Sequence, residues 1–128
     1  MQYQISLKSQ FGFLILRSNG ESLTEVSFAD DELQEQKQCE VLENCGNQLQ
    51  RYFSGELMNF DLPLAPDGTE FQQRVWAELQ KIPFGETITY MDLAVRLGDP
   101  KCIRAAGTAN GKNPIAIIIP CHPGYSDW

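Results

Sequence analysis

The single histidine of this 128-residue chain, His122, directly follows Cys121. A thiolate is the nucleophilic form of cysteine, and a nearby imidazole can take its proton. Adjacent side chains of an extended segment point apart, so a bridging water or a third group has to connect this pair. The same two residues also fit a plain buried cysteine beside a satisfied histidine. Three further side chains could support chemistry around a nucleophile. Tyr90 carries a phenol that can donate a hydrogen bond to a ligand, or serve simply as an interfacial aromatic. Arg104 offers a guanidinium, free for a ligand or paired at the surface. Asn113, just before Pro114, is a turn residue whose amide can brace the chain that follows it. Cys39, Cys45 and Cys102 show no CxxC spacing and have one histidine between them all. Zinc needs four ligands, so neither a metal nor any other cofactor is expected.

These residues need elements to position them. Phe11–Leu16 reads as a strand, Asn19-Gly20 as a hairpin turn, and Leu23–Phe28 as the partner strand. An amphipathic helix is predicted from an Asp30 cap through Phe53 to Gly55, with Gly46 as a weak point inside it. Phe60–Pro66 holds two prolines and reads as a strand edge leading into a linker, broken again at Asp67-Gly68. The predicted boundary therefore separates residues 1–68, a small sheet-and-helix module, from residues 69–128. In the second part Thr69 caps a helix that Pro83 stops, and Thr89 caps a short helix. Gly98-Asp99-Pro100 turns the chain into a third helix, Pro100–Ala109. Ile115–Ile119 is predicted as a buried strand leading to Cys121. The fold class is α+β. The short helix, turn and alanine-rich helix have the outline of a helix-turn-helix. Ala105, Ala106 and Gly107 keep the third helix slim enough for a narrow groove, although the same residues suit close packing.

Charge divides along the same boundary. Residues 1–68 hold 4 basic and 11 acidic side chains, net −7, and residues 69–128 hold 6 of each, net 0. Between Leu93 and His122, Arg96, Lys101, Arg104 and Lys112 face Asp99 alone, net +3. An anion-binding surface is expected there in spite of the overall −7. No apolar run reaches the length of a membrane span and no export signal opens the chain, so a cytosolic protein is expected, or a nuclear one in a eukaryote.

The segments FQQRVWAELQKIPFGETITYMDLA (71–94), GDPK (98–101) and IRAAGTANGKNPIAIIIPCH (103–122) together resemble the O6-alkylguanine-DNA alkyltransferases. RYFSGELMNFDLPL (51–64) is similar to that family's linker region. The resemblance runs without a gap from about residue 49 to 122, and its RAAG, KNP and IIIPCH signatures are specific. It implies an alkyltransferase domain of helix-turn-helix, winged-helix-like build, which binds double-stranded DNA carrying O6-alkylguanine. It implies Cys121 as the alkyl acceptor, acting once per molecule, and His122 as its base through a water. It further implies that Tyr90 protonates the departing guanine, that Arg104 replaces the flipped base, and that Asn113 braces the active-site turn. Base flipping costs a few kcal/mol, which a side chain filling the gap offsets. The small residues Ala105, Ala106 and Gly107 permit a minor-groove approach, and Lys101, Lys112 and Arg96 suit phosphates.

The pattern departs from the family after His122. Pro123 stands where the family has an arginine, and the chain ends at Trp128. By the resemblance, a substrate-covering loop and a helix with a histidine-orienting glutamate would follow. The expectation is a truncated member, monomeric or dimerised through surfaces left exposed. The alternatives are a DNA- or lesion-binding module without transfer, or an inactive truncated product.

Overall fold

The computed structural model describes residues 2–57, 59–82 and 88–119, which divide at Pro66–Asp67 into two compact units. In the first unit, three antiparallel strands in the order β1-β2-β3 form one sheet: β1 (Tyr3–Ser9), β2 (Gly12–Ser18) and β3 (Leu23–Ala29). The predicted hairpin corresponds to β2 and β3, with Leu14 opposite Phe28 and Leu16 opposite Val26. Asn19 accepts hydrogen bonds on its side chain from the Glu21 and Ser22 amides, and Gly20 takes a left-handed φ of 101°. That conformation is open to glycine at little cost, which is why the turn forms there. The strand β1 precedes the predicted pair. Its sequence YQISLKS alternates apolar and polar residues, as an edge strand with one face against the protein does.

The helix predicted from Asp30 is shorter at its start. Helix α1 spans Glu40–Phe53, and Cys39, not Asp30, is its N-cap. Residues 30–39 run irregularly beside the sheet, where Gln4 and Lys37 exchange two backbone hydrogen bonds. Leu33 begins the predicted apolar pattern, but its amide is held by the Ser6 hydroxyl instead of a helical carbonyl. Within α1, Leu42, Cys45 and Leu49 are fully buried at helical spacing, and the helix packs on the sheet through this stripe. Glu40 and Glu43 lie in the first turn, where they complement the helix dipole. Gly55, at φ 83°, lets the chain turn back so that the Glu56 and Leu57 amides cap the Arg51 carbonyl. Beyond α1, Leu64 bridges Leu23, so Phe60–Pro66 does touch the sheet edge as expected.

The second unit is helical: α2 (Glu70–Gln80), α3 (Tyr90–Arg96), a 3-10 turn (Pro100–Cys102) and α4 (Ile103–Gly111). Thr69 and Thr89 each form a full capping box, with Gln72 and Asp92 respectively. The predicted helix from Pro100 thus begins as a 3-10 turn, started by the Asp99 side chain accepting from the Lys101 amide. The predicted strand Ile115–Ile119 is a correction. Residues 116–118 turn, and the Ile119 amide returns to the Ile115 carbonyl at 3.1 Å. Ile115, Ile118 and Ile119 are buried as expected, but they pack from a turn. Local hydrogen bonding by Asn113 wins over β-propensity at this point. No helix among the described residues is long and apolar enough to cross a membrane.

Burial of Cys45 in the α1 interface pushes its thiol up from 9.0 to about 12. The folded state therefore keeps this proton to higher pH than the unfolded state does. The stability linked to it is full below pH 9 and is lost as pH rises toward 12. Denaturant unfolding across this alkaline range should show wild type losing stability more steeply than Cys45→Ala. Parallel pH profiles would contradict the assignment.

Candidate functional site

The site is built on α4 and on what packs against it. Trp76, in the middle of α2, is 1% exposed, and its indole N–H donates to the Ala109 carbonyl at 2.9 Å. A Cβ at Gly68 would come within 2.5 Å of the same indole, so only glycine fits there beside the ring. Arg74 of α2 donates to the Leu97 carbonyl at the end of α3. These contacts fix α2 against both halves of the helix-turn-helix. Gly98, at φ 92°, makes the turn between α3 and the 3-10 segment.

Two faces of α4 follow from this packing. Ala106, Ala109 and Asn110 face inward and are buried. Arg104, Ala105, Thr108, Gly111 and Lys112 are exposed, a spacing that places all five on one side of a helix. That side is slim in its middle and cationic at its ends. Nine residues of α-helix span about 13 Å, so Arg104 and Lys112 lie near opposite ends, with Lys101 exposed just ahead of α4. Helix α4 carries no acidic residue. Arg96 is exposed at the end of α3.

The sequence-predicted residues are distributed as follows. Arg104 and Ala105 lie on the open face, and Lys101 and Lys112 flank it. Ala106 is fully buried, so its small side chain serves helix packing and is not presented at the surface. Gly107 is half-buried against Tyr90, and a Cβ there would sit 3.7–3.8 Å from the phenol ring. The Tyr90 hydroxyl accepts from the Asn110 side-chain amide at 3.4 Å. Asn113 holds the turn after α4 with both ends of its amide. Its oxygen accepts from the Ile115 amide at 2.9 Å, and its nitrogen donates to the Ile119 carbonyl at 2.5 Å. Inside that clamp Ile117 takes φ 73°, a conformation costly for a β-branched residue and stable only where its surroundings enforce it. Cys121 and His122 lie outside the described residues. The clamped turn ends one residue before Pro120-Cys121 in the chain.

Thr108, Gly111 and Asn110 were not among the candidates. For Thr108 and Gly111 the signal is the i, i+3, i+4 spacing from Arg104 and Ala105. For Asn110 it is a polar residue placed on the inward stripe of Ala106 and Ala109.

Comparison with known proteins matches both units. Residues 2–66 match the ribonuclease-like domain of 6-O-methylguanine DNA methyltransferase, and residues 70–123 match its DNA-binding domain. A methylated-DNA–protein-cysteine methyltransferase of Methanosarcina barkeri is 44% identical over 95% of this chain and 80% of the relative. The constitutive enzyme of Bacillus subtilis is 37% identical over 95% and 79%. The Mycobacterium tuberculosis O6-methylguanine methyltransferase has a similar structure, with a TM-score of 0.85 at 40% identity over 95% of this chain and 77% of that one. A Mycobacterium tuberculosis OGT solved in complex with DNA superposes with a TM-score of 0.81 at 42% identity, over 91% and 74%. With both of its units matched, and with relatives of this identity covered over most of their length, the chain belongs to the 6-O-methylguanine DNA methyltransferase family.

Proposed function

We propose that this protein repairs DNA by moving the alkyl group of O6-alkylguanine onto its own Cys121, once per molecule and without a cofactor. The observation that carries the reading is the open face of α4, slim in the middle and cationic at both ends, within a chain whose two halves both match the family. Ala105, Thr108 and Gly111 let the helix backbone approach a minor groove closely. Lys101, Lys112 and Arg96 meet phosphates, which fixes position without reading sequence.

The substrate atom lies inside the duplex, so the base has to leave the stack. Arg104, exposed near the start of α4, fills the space it vacates. Cys121 loses its proton to His122 through a water. Its sulfur then attacks the alkyl carbon, the carbon–O6 bond breaks, and the electron pair passes into the guanine ring. Tyr90 donates a proton to guanine N3, so that neutral guanine departs. The thioether formed on Cys121 is stable, which ends the reaction after one turnover. Asn113 acts earlier, by holding the turn that leads into Cys121.

The wild type and two variants test this. Intact-protein mass after mixing with a duplex holding one O6-methylguanine should show one methyl group gained per chain, mapped to Cys121. It should be absent in Cys121→Ser, which still binds the duplex. Binding without any gain by the wild-type chain would instead favour a lesion-binding module. Asn113→Ala should cost about 2 kcal/mol in thermal or denaturant stability, because it leaves two backbone groups of the turn unpaired. In chain that remains folded it should also slow transfer at least ~tenfold, a loss of about 1.4 kcal/mol in the barrier. An unchanged rate would separate the turn from the reaction.

A further inference from the structure

We propose that Asn110 is a positioning residue for Tyr90 in the alkyl transfer, an inference that rests on the reading of the reaction given above. Two polar residues are buried in the described core, Ser18 and Asn110. Ser18 is accounted for by its own turn, where its hydroxyl donates to the Ser22 carbonyl and accepts from the Gly20 amide. Asn110, 1% exposed, instead reaches from α4 to α3. A buried amide at an otherwise apolar helix interface costs stability unless its hydrogen bonds are made, and an alanine or leucine would fill the place more cheaply. The amide therefore does something packing does not require.

Its contact defines what that is. The Asn110 side-chain N–H donates to the Tyr90 hydroxyl oxygen. A phenol has one proton to give and two lone pairs to receive. Receiving from Asn110 uses a lone pair of the oxygen and none of its donor capacity. Three residues earlier, Gly107 lies against the Tyr90 ring. The ring is thus held at its face by α4 and at its oxygen by the same helix one turn later. Arg104, Gly107 and Asn110 are spaced by three, so each is rotated about 60° from the last around α4. This stripe runs from the exposed arginine to the buried amide and places Tyr90 alongside it. When the phenol gives its proton to guanine N3, the Asn110 N–H faces the negative oxygen left behind. It stabilises that oxygen until solvent returns a proton. The 3.4 Å separation is long for such a bond at rest, as is common before substrate arrives, and a charged oxygen would strengthen it.

The test is a double-mutant cycle on the full chain, following single-turnover methyl transfer from an O6-methylguanine duplex, with melting temperature as the check on folding. Asn110→Leu keeps the bulk and removes the donor. With Tyr90 present it should slow transfer about tenfold, the scale of one hydrogen bond in a transition state. In the Tyr90→Phe background it should change the rate less than about twofold, because the oxygen it served is gone. Equal slowing in both backgrounds would overturn the proposal and reduce Asn110 to a packing residue. If Asn110→Leu does not fold, Asn110→Ala carries the same cycle with the same two outcomes. A wild-type chain that transfers nothing fails the repair reading itself, whereas a wild type that transfers with additive variants fails the positioning role alone.

Discussion

Helix α4 has to be small on two opposite sides. Its inner side must let α2 come close enough for the Trp76 indole to reach the Ala109 carbonyl, and in the proposed DNA contact its outer side must stay low enough to enter a groove. Alanine and glycine meet both demands at once, with Thr108 on the outer side and Asn110 on the inner side as the larger residues between them. The cost is that α4 contributes little apolar area of its own. Burial has to come from its partners, and Trp76 supplies the largest fully buried side chain of the described residues. Gly68 is tied to the same constraint, since a Cβ there would come within 2.5 Å of the indole. The position of Arg104, and with it the proposed contact with DNA, depends on this helix pair.

Amides set the second level of order. Asn113 pins a turn in which Ile117 sits in an unfavourable conformation, and Asn110 joins α4 to the Tyr90 hydroxyl. Neither bond adds much to stability after the exchange with water is counted. Each instead removes alternatives. The first closes the isoleucine-rich segment into a turn, and the second links the phenol oxygen to α4. Both amides lie at the C-terminal end of α4, so one short stretch of chain orders the phenol on α3 and the turn over residues 115–119. A single-turnover protein that must find a rare lesion gains from such pre-set geometry, because little has to be ordered when the base arrives.

Much of this was legible in the residues. Thr69 and Thr89 with Gln72 and Asp92 three positions on spell out both helix starts, and Asn19-Gly20 marks the hairpin. The alternating YQISLKS carries a strand pattern too, although β1 was not among the predicted elements. Two features were not readable. The apolar positions from Leu33 onward have helical spacing, yet a tertiary contact of Gln4 with Lys37 draws residues 30–39 along the sheet. Ile115–Ile119 has the composition of a core strand, and only the reach of the Asn113 amide to Ile119 reveals a turn. In the site, the cations were evident from their cluster. The inward direction of Ala106 and the link between Asn110 and Tyr90 depend on the rotation of α4 against its neighbours, which composition does not encode.

The central claim is that α4 acts on the duplex while the thiol acts on the base, as separable steps. The direct measurement compares transfer from an O6-methylguanine duplex with transfer from a free O6-alkylguanine base, in wild type and Arg104→Ala. If α4 serves to hold the flipped state, the substitution slows the duplex reaction by about tenfold or more and leaves the free-base reaction unchanged. Equal slowing of both reactions would contradict the account, because it would place Arg104 in the chemistry of the thiol instead of the opening of the duplex.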